Sequence, residues 1–131
     1  MDENETAPSA PKLLTREEIL AKTTLRSELV PVPEWGGSVR VRELTGAERD
    51  QYEASLVKMQ EGGKSTNLTM DNARARLASL SIVDPSGARI FTEADVQRLG
   101  QLSASALDRV FDVAGRLSKI TAEDFKEISG N

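Results

Sequence analysis

The chain has 131 residues, 38% of them apolar but only 4% aromatic, and its 17 basic and 21 acidic residues leave a net charge of −4. It contains no histidine and no cysteine, which excludes Ser-His-Asp triads, imidazole acid–base chemistry, zinc clusters, thiolate nucleophiles and disulfides. Residues 1–60 carry 8 basic and 11 acidic side chains and residues 61–131 carry 9 and 10, so no basic arm or patch marks nucleic acid or an anionic membrane as a partner.

Residues 1–13 are polar, with two prolines and no periodicity, and are expected to form a disordered leader. They begin Met1-Asp2-Glu3, acidic where a secretory signal is basic, and no stretch approaches the roughly 18 apolar residues of a membrane span. The expectation is a soluble intracellular protein. Residues 14–131 are expected to form a single helical domain with a β-hairpin near 28–42.

The domain is heavily punctuated by helix starts. Thr15 and Glu18 form a capping box, in which the threonine oxygen accepts a free backbone N–H and the glutamate reaches back to the cap. Leu14 and Ile19 flank it as an apolar staple. Thr45 with Glu48 repeats the box, though Arg49 stands where a staple needs an apolar residue. Thr92 lies between Phe91 and Val96, Ser103 between Leu102 and Leu107, and Thr121 between Ile120 and Phe125. Together these predict a mainly α protein with minor β, a bundle of short helices.

Between the first two helix starts the pattern changes. Leu29-Val30-Pro31-Val32 and Val39-Arg40-Val41-Arg42 alternate with period two around Pro33-Glu34-Trp35-Gly36-Gly37-Ser38. This predicts one hairpin with Val39 and Val41 facing inward. Pro31 has no N–H to give a ladder, so its strand belongs at a sheet edge. Further on, Tyr52, Leu56 and Met59 continue the helix opened by Thr45 as a weak stripe. Met70, Ala73, Leu77 and Leu80 form a regular stripe, as do Leu107, Val110, Phe111, Ala114 and Leu117. Arg74, Arg76, Arg109 and Arg116 fall on the opposite faces, to be solvated or to meet a partner. Asp84-Pro85-Ser86-Gly87 reads as a tight turn leading to a short extended piece, Arg89-Ile90-Phe91.

Few residues suggest chemistry. Gly63-Lys64-Ser65 resembles the end of a phosphate loop, but Lys58 occupies the position of its first glycine and a helical stretch precedes it, so Glu61–Thr66 reads as a flexible linker. The pairs Asp108/Asp112 and Glu123/Glu127 alternate with basic residues and read as solvated helix faces. A carboxylate hydrolase using Mg²⁺ would need converging acids, and no motif gathers them. No catalytic residue, cofactor or metal is expected. The single tryptophan, Trp35, sits at a glycine-bearing turn and has two open roles: a protein-contact anchor, or a lid folded back over the hairpin. The aliphatic stripes read as core, and a self-association or partner groove remains open for some of them. Trp35, Leu56, Met59, Met70 and Leu77 are therefore the candidate protein-contact residues, with methionine suited to repacking against varied partners.

The order of these pieces carries a resemblance. A polar leader and a Val-Pro hairpin with Glu34-Trp35-Gly36-Gly37 are followed by Val39-Arg40-Val41-Arg42-Glu43-Leu44-Thr45-Gly46-Ala47-Glu48-Arg49-Asp50. Then come Ala75-Arg76-Leu77-Ala78-Ser79-Leu80-Ser81-Ile82-Val83-Asp84-Pro85-Ser86-Gly87, Phe91-Thr92-Glu93-Ala94-Asp95-Val96 and the Leu107 helix. Over roughly residues 25–120 this resembles the tail assembly chaperones of long, non-contractile-tailed bacteriophages. The resemblance implies a non-enzymatic protein of the host cytoplasm that binds the tape-measure protein, keeps that long helical rod soluble while the tail tube assembles, and is absent from the mature virion. It also implies contact with tail tube protein through a frameshifted longer form, where one exists, and allows a homo-oligomer. The competing expectation is a structural head–tail or tail adaptor protein that stays in the virion.

Overall fold

The computed structural model describes residues 10–59, 66–68 and 72–120. In chain order they form α1 (Arg16–Leu20), β1 (Ser27–Val32), a 3₁₀ turn (Pro33–Trp35), β2 (Gly37–Arg42), α2 (Gly46–Leu56), β3 (Val57–Met59), β4 (Thr66–Leu68), α3 (Ala73–Ser81), β5 (Ile82–Val83), a second 3₁₀ turn (Glu93–Asp95), α4 (Val96–Leu99) and α5 (Ala104–Leu117). The fold is mainly α with minor β.

Local side-chain chemistry sets the helix starts. Thr15 and Thr45 each accept the N–H of the glutamate three residues on, and Glu18 and Glu48 accept in return from the threonine N–H at 2.9 and 3.0 Å. Ser103 caps α5 by accepting from Ala106 N–H. At Thr92 the Asp95 carboxylate accepts from the Thr92 N–H (2.8 Å), and the chain enters a 3₁₀ turn before α4. Thr121 lies outside the described residues. The Leu14–Ile19 pair at α1 stays in solvent, half exposed on both sides.

β1 and β2 pair antiparallel from Ser27↔Arg42 to Val32↔Gly37, as the alternation predicts, and β1 ends the sheet with Pro31 in it. The hairpin is not alone, however. β5 adds to β2 antiparallel, Arg40↔Val83 and Val41↔Ile82, giving the order β1-β2-β5. The Asp84–Gly87 turn then brings Arg89 back against Val83. Asp84 Oδ1 accepts from Ser86 N–H, Ser86 Oγ–H and Ala88 N–H, and these bonds, the Ser86 hydroxyl's above all, hold its carboxyl below the usual range. Gly87 takes φ +91°, which an L side chain resists.

Two expectations around α2 are corrected. The stripe Tyr52–Leu56–Met59 does not run along one helix: α2 stops at Leu56, Val57 is extended (φ −100°, ψ 129°), and Met59 lies on β3. Val57 is β-branched and favours that backbone. Lys58 and Met59 pair with Asn67 and Thr66, so Thr66 belongs to a strand and the connection after Lys58 joins two antiparallel strands. A phosphate loop needs a strand, a loop and then a helix. The stretch 60–65 itself lies outside the described residues.

The core gathers the inner sheet face (Val30, Val32, Val41, Ile82) with Tyr52 and Leu56 of α2, Leu77 and Leu80 of α3, and Leu107, Val110, Ala114 and Leu117 of α5. A satellite cluster joins Ala75 of α3 to Val96 and Leu99 of α4, with Phe91 against it. Tyr52 is buried; its hydroxyl donates to the Ala73 carbonyl (3.3 Å), and burial pushes its pKa up to about 12.

The arginines of α3 and α5 were expected to face solvent or a partner. They keep a solvent face, with Arg74, Arg109 and Arg116 about half exposed, and they also reach other parts of this chain. Arg74 pairs with Asp108 and stands 6.0 Å from the Phe111 ring, and Arg76 donates to the Ser55 carbonyl. Arg109 Nε donates to both oxygens of Glu34 (2.9 and 3.1 Å), and Arg116 grips Glu28 through two bonds of 2.8 and 2.9 Å. These two forks tie α5 along the hairpin from its first strand to its tip. Asp108, read as part of a solvated pair, is thereby half of an ion pair.

α5 ends in a Schellman motif. Ile120 N–H reaches back to Gly115 C=O (2.8 Å) and Lys119 N–H to Arg116 C=O (3.2 Å), with Lys119 at φ +59°. A lysine held in the left-handed region costs about 1 kcal/mol relative to glycine. Lys119→Gly is expected to raise the melting temperature in a thermal scan; an unchanged or lower value would contradict that conformation.

The Arg109 guanidinium first, and the Ser105 hydroxyl second, hold the Glu34 carboxyl down from 4.5 to about 2. A carboxyl lowered in the folded state stabilises fully above its unfolded pKa and loses that contribution as pH falls through the folded value. The stability gap between wild type and Glu34→Gln is therefore expected to be widest near neutrality. It should close between pH about 4.5 and 2 in denaturant titrations, and a gap independent of pH would remove the Arg109–Glu34 fork from the account.

Candidate protein-contact surfaces

Among the described residues no group of three or more acidic side chains is placed to hold a metal ion. The acids that the fold brings inward are already engaged, Glu48 by Arg42 and the Thr45 N–H, Glu43 by the Arg26 N–H at 2.7 Å.

The five expected contact residues separate. Leu56 and Leu77 have no exposed surface; both are core residues in this conformation, because α2 packs against α3 and α3 against α5. Met59 is placed on β3, and Met70 lies outside the described residues. Trp35 closes the 3₁₀ turn at the hairpin tip and packs, partly buried, against the main core. Beside it, Glu34 takes hydrogen bonds from Arg109 and from Ser105 Oγ (2.7 Å), so the tip is fastened to the start of α5.

The exposed apolar surface lies elsewhere. Among the described residues seven large hydrophobic side chains are exposed: Leu13, Leu14, Ile19 and Leu20 around α1, Leu29 on β1, Ile90 after the Asp84–Gly87 turn, and Leu102 before α5. α1 buries none of its residues, and Leu13 is 88% exposed. Leu29 and Ile90 flank an open groove of about 280 Å³ on the outer sheet face, with Ser38, Arg40, Val83 and Pro85. A second groove of about 360 Å³ adjoins it, lined by Thr23, Thr24, Leu25, Ser27, Arg40, Arg42, Val83, Pro85, Ser86 and Gly87.

Sequence reasoning missed this outer face, although a signal was present. In the alternating pattern of β1, Val30 and Val32 point inward, so Leu29 stands where a half-buried strand normally carries a polar residue. Ile90 had no such signal, since its position depends on the turn that folds it back beside Ile82, to whose carbonyl its N–H donates.

The likeness to known proteins agrees with this architecture. A bacteriophage HK97 tail assembly chaperone structure superposes with a TM-score of 0.53 at 18% identity, covering 80% of this chain and 95% of that one, which shows a shared fold. No curated protein matches the sequence. The family described as phage tail assembly chaperone matches residues 15–128. The chain therefore belongs to the phage tail assembly chaperone family.

Proposed function

We propose that this chain acts in tail assembly by binding the tape-measure protein and holding it soluble in the host cytoplasm while the tube is built, and that it leaves before the virion is complete. The family match over most of the chain supports the assembly role. The observation that carries the client-binding part is the apolar surface left open around α1 and on the outer sheet face of an otherwise well-packed small domain. Contact with a client of this kind makes and breaks no covalent bond. Tail tube protein, through a longer form of the chain, and further copies of the chain are additional proposed partners.

Coexpression is the direct test. The soluble yield of the tape-measure protein of the same genome should rise severalfold, and the two proteins should co-purify; no rise and no co-purification would refute the reading. Mass spectrometry of purified particles addresses the competing structural role, since an adaptor protein stays in the virion and a chaperone does not.

Trp35 we assign to packing at the hairpin tip. Trp35→Ala is expected to cost about 2 kcal/mol of stability, less than for a fully buried tryptophan, with client capture by the folded fraction retained. Lost capture at an unchanged melting temperature would make the ring a contact anchor instead.

A further inference from the structure

Leu29, Arg40 and Val83 stand abreast across β1, β2 and β5. Leu29 is 63% exposed and Val83 only 4%, so the row runs from an open apolar shoulder to a covered floor. Arg40 sits between them, and its guanidinium donates to Ser27 Oγ at 3.2 Å. Arg26, Arg42, Arg74, Arg109 and Arg116 each meet a carboxylate. Arg40 meets none among the described residues. The two outer-face grooves share Arg40, Val83 and Pro85 and so are continuous, and no acidic residue is among those lining either one. On a chain of net charge −4 this is an acid-free channel around an arginine without an ion-pair partner.

That combination selects its occupant. A purely apolar partner would strip water from Arg40 and leave the charge unpaired, a cost of several kcal/mol. A basic partner would be repelled. An apolar segment bearing one carboxylate gains the contact area and satisfies the guanidinium in a water-poor setting, where a bidentate pair is strong. We propose that the outer sheet face is the client-docking surface, and that it takes an amphipathic helical segment of the client whose apolar stripe carries a single Glu or Asp for Arg40. This rests on the chaperone reading above. The chain's own α1, with Glu17 beside Ile19 and Leu20, has similar chemistry, and the segment after it (Thr23–Leu25) lines the channel; yet α1 buries nothing there. It is a rival occupant.

Overlapping synthetic peptides covering the tape-measure protein of the same genome, presented to the full-length chain, test the idea. Retained peptides should carry an acidic residue with apolar residues three and four positions away. The double variant Leu29→Ser/Ile90→Ser and the single variant Arg40→Glu should each weaken retention about tenfold, with melting temperatures unchanged because these side chains lie on the outer face. Replacing the peptide acid by lysine should restore binding to Arg40→Glu. Wild-type retention by both variants overturns this inference alone. Failure of the wild-type chain to retain any peptide or to raise soluble tape-measure protein overturns it together with the chaperone reading. Hydrogen-exchange protection of residues 13–20 in the free chain that disappears in Leu29→Ser/Ile90→Ser would give the channel to α1 instead. Protection of the channel that grows with protein concentration would give it to a second copy.

Discussion

The molecule is organised around one helix that has almost no solvent face. Seven of the nine residues of α3 are buried, and five of those are alanine or serine. Small side chains let α4 and α5 approach on two sides, and the leucines at 77 and 80 fill the space toward the sheet. The two serines would be costly there without partners. Both hydroxyls turn back along the helix, Ser79 to the Arg76 carbonyl and Ser81 to Leu77, at 2.8 Å each. The only side chains that escape are Arg74 and Arg76, and each is used to bind a neighbouring helix.

The central helix also explains the sheet. α3 passes into β5 without a loop, Ser81 being followed at once by Ile82. Placing the helix in the core therefore places β5 against β2, and Ile82 joins Val41 on the inner face while Val83 is turned outward. The channel around Arg40 is a consequence: its floor is the last residue of a strand that exists because the helix before it is fixed. The other wall is the hairpin, which α5 holds from the far side through Arg116–Glu28 and Arg109–Glu34. These two ion pairs are exposed and screened, so they set position more than they add stability.

What could be read from the sequence follows from how local each cause is. Helix starts at Thr15, Thr45 and Ser103 were legible because cap and partner lie three residues apart. The hairpin was legible from alternation, and its edge position from Pro31. The two-residue strand β5 was not legible, because Ile82 and Val83 continue the apolar pattern of the helix and only pairing with Arg40 and Val41 makes them a strand. Nor was the fate of the arginines: Glu34 and Arg109 are 75 positions apart and Glu28 and Arg116 are 88, and nothing in either segment announces the other. Leu56 and Leu77 were legible as apolar stripes, but periodicity cannot say whether a stripe faces its own core or another protein. Met59 failed as a stripe residue for a different reason, the change from helix to strand at Val57.

A small protein that keeps leucines in solvent risks pairing with itself, and the outer strand carries devices against that. Glu43 N–H bonds to Arg26 C=O, so in the alternating antiparallel ladder the peptide groups of Ser27, Leu29 and Pro31 point toward the open edge. Pro31 brings no N–H to that edge, which shortens the stretch on which another strand could build to Ser27 and Leu29. Arg40 then interrupts the apolar face itself: two copies brought together face to face would set guanidinium against guanidinium. An amphipathic helix needs no edge hydrogen bonds and can supply the missing carboxylate, so the features that discourage strand pairing leave helix docking unimpeded. The outer face thus presents apolar side chains and an arginine while its edge offers a second strand little to pair with, which fits the helix-docking role proposed above.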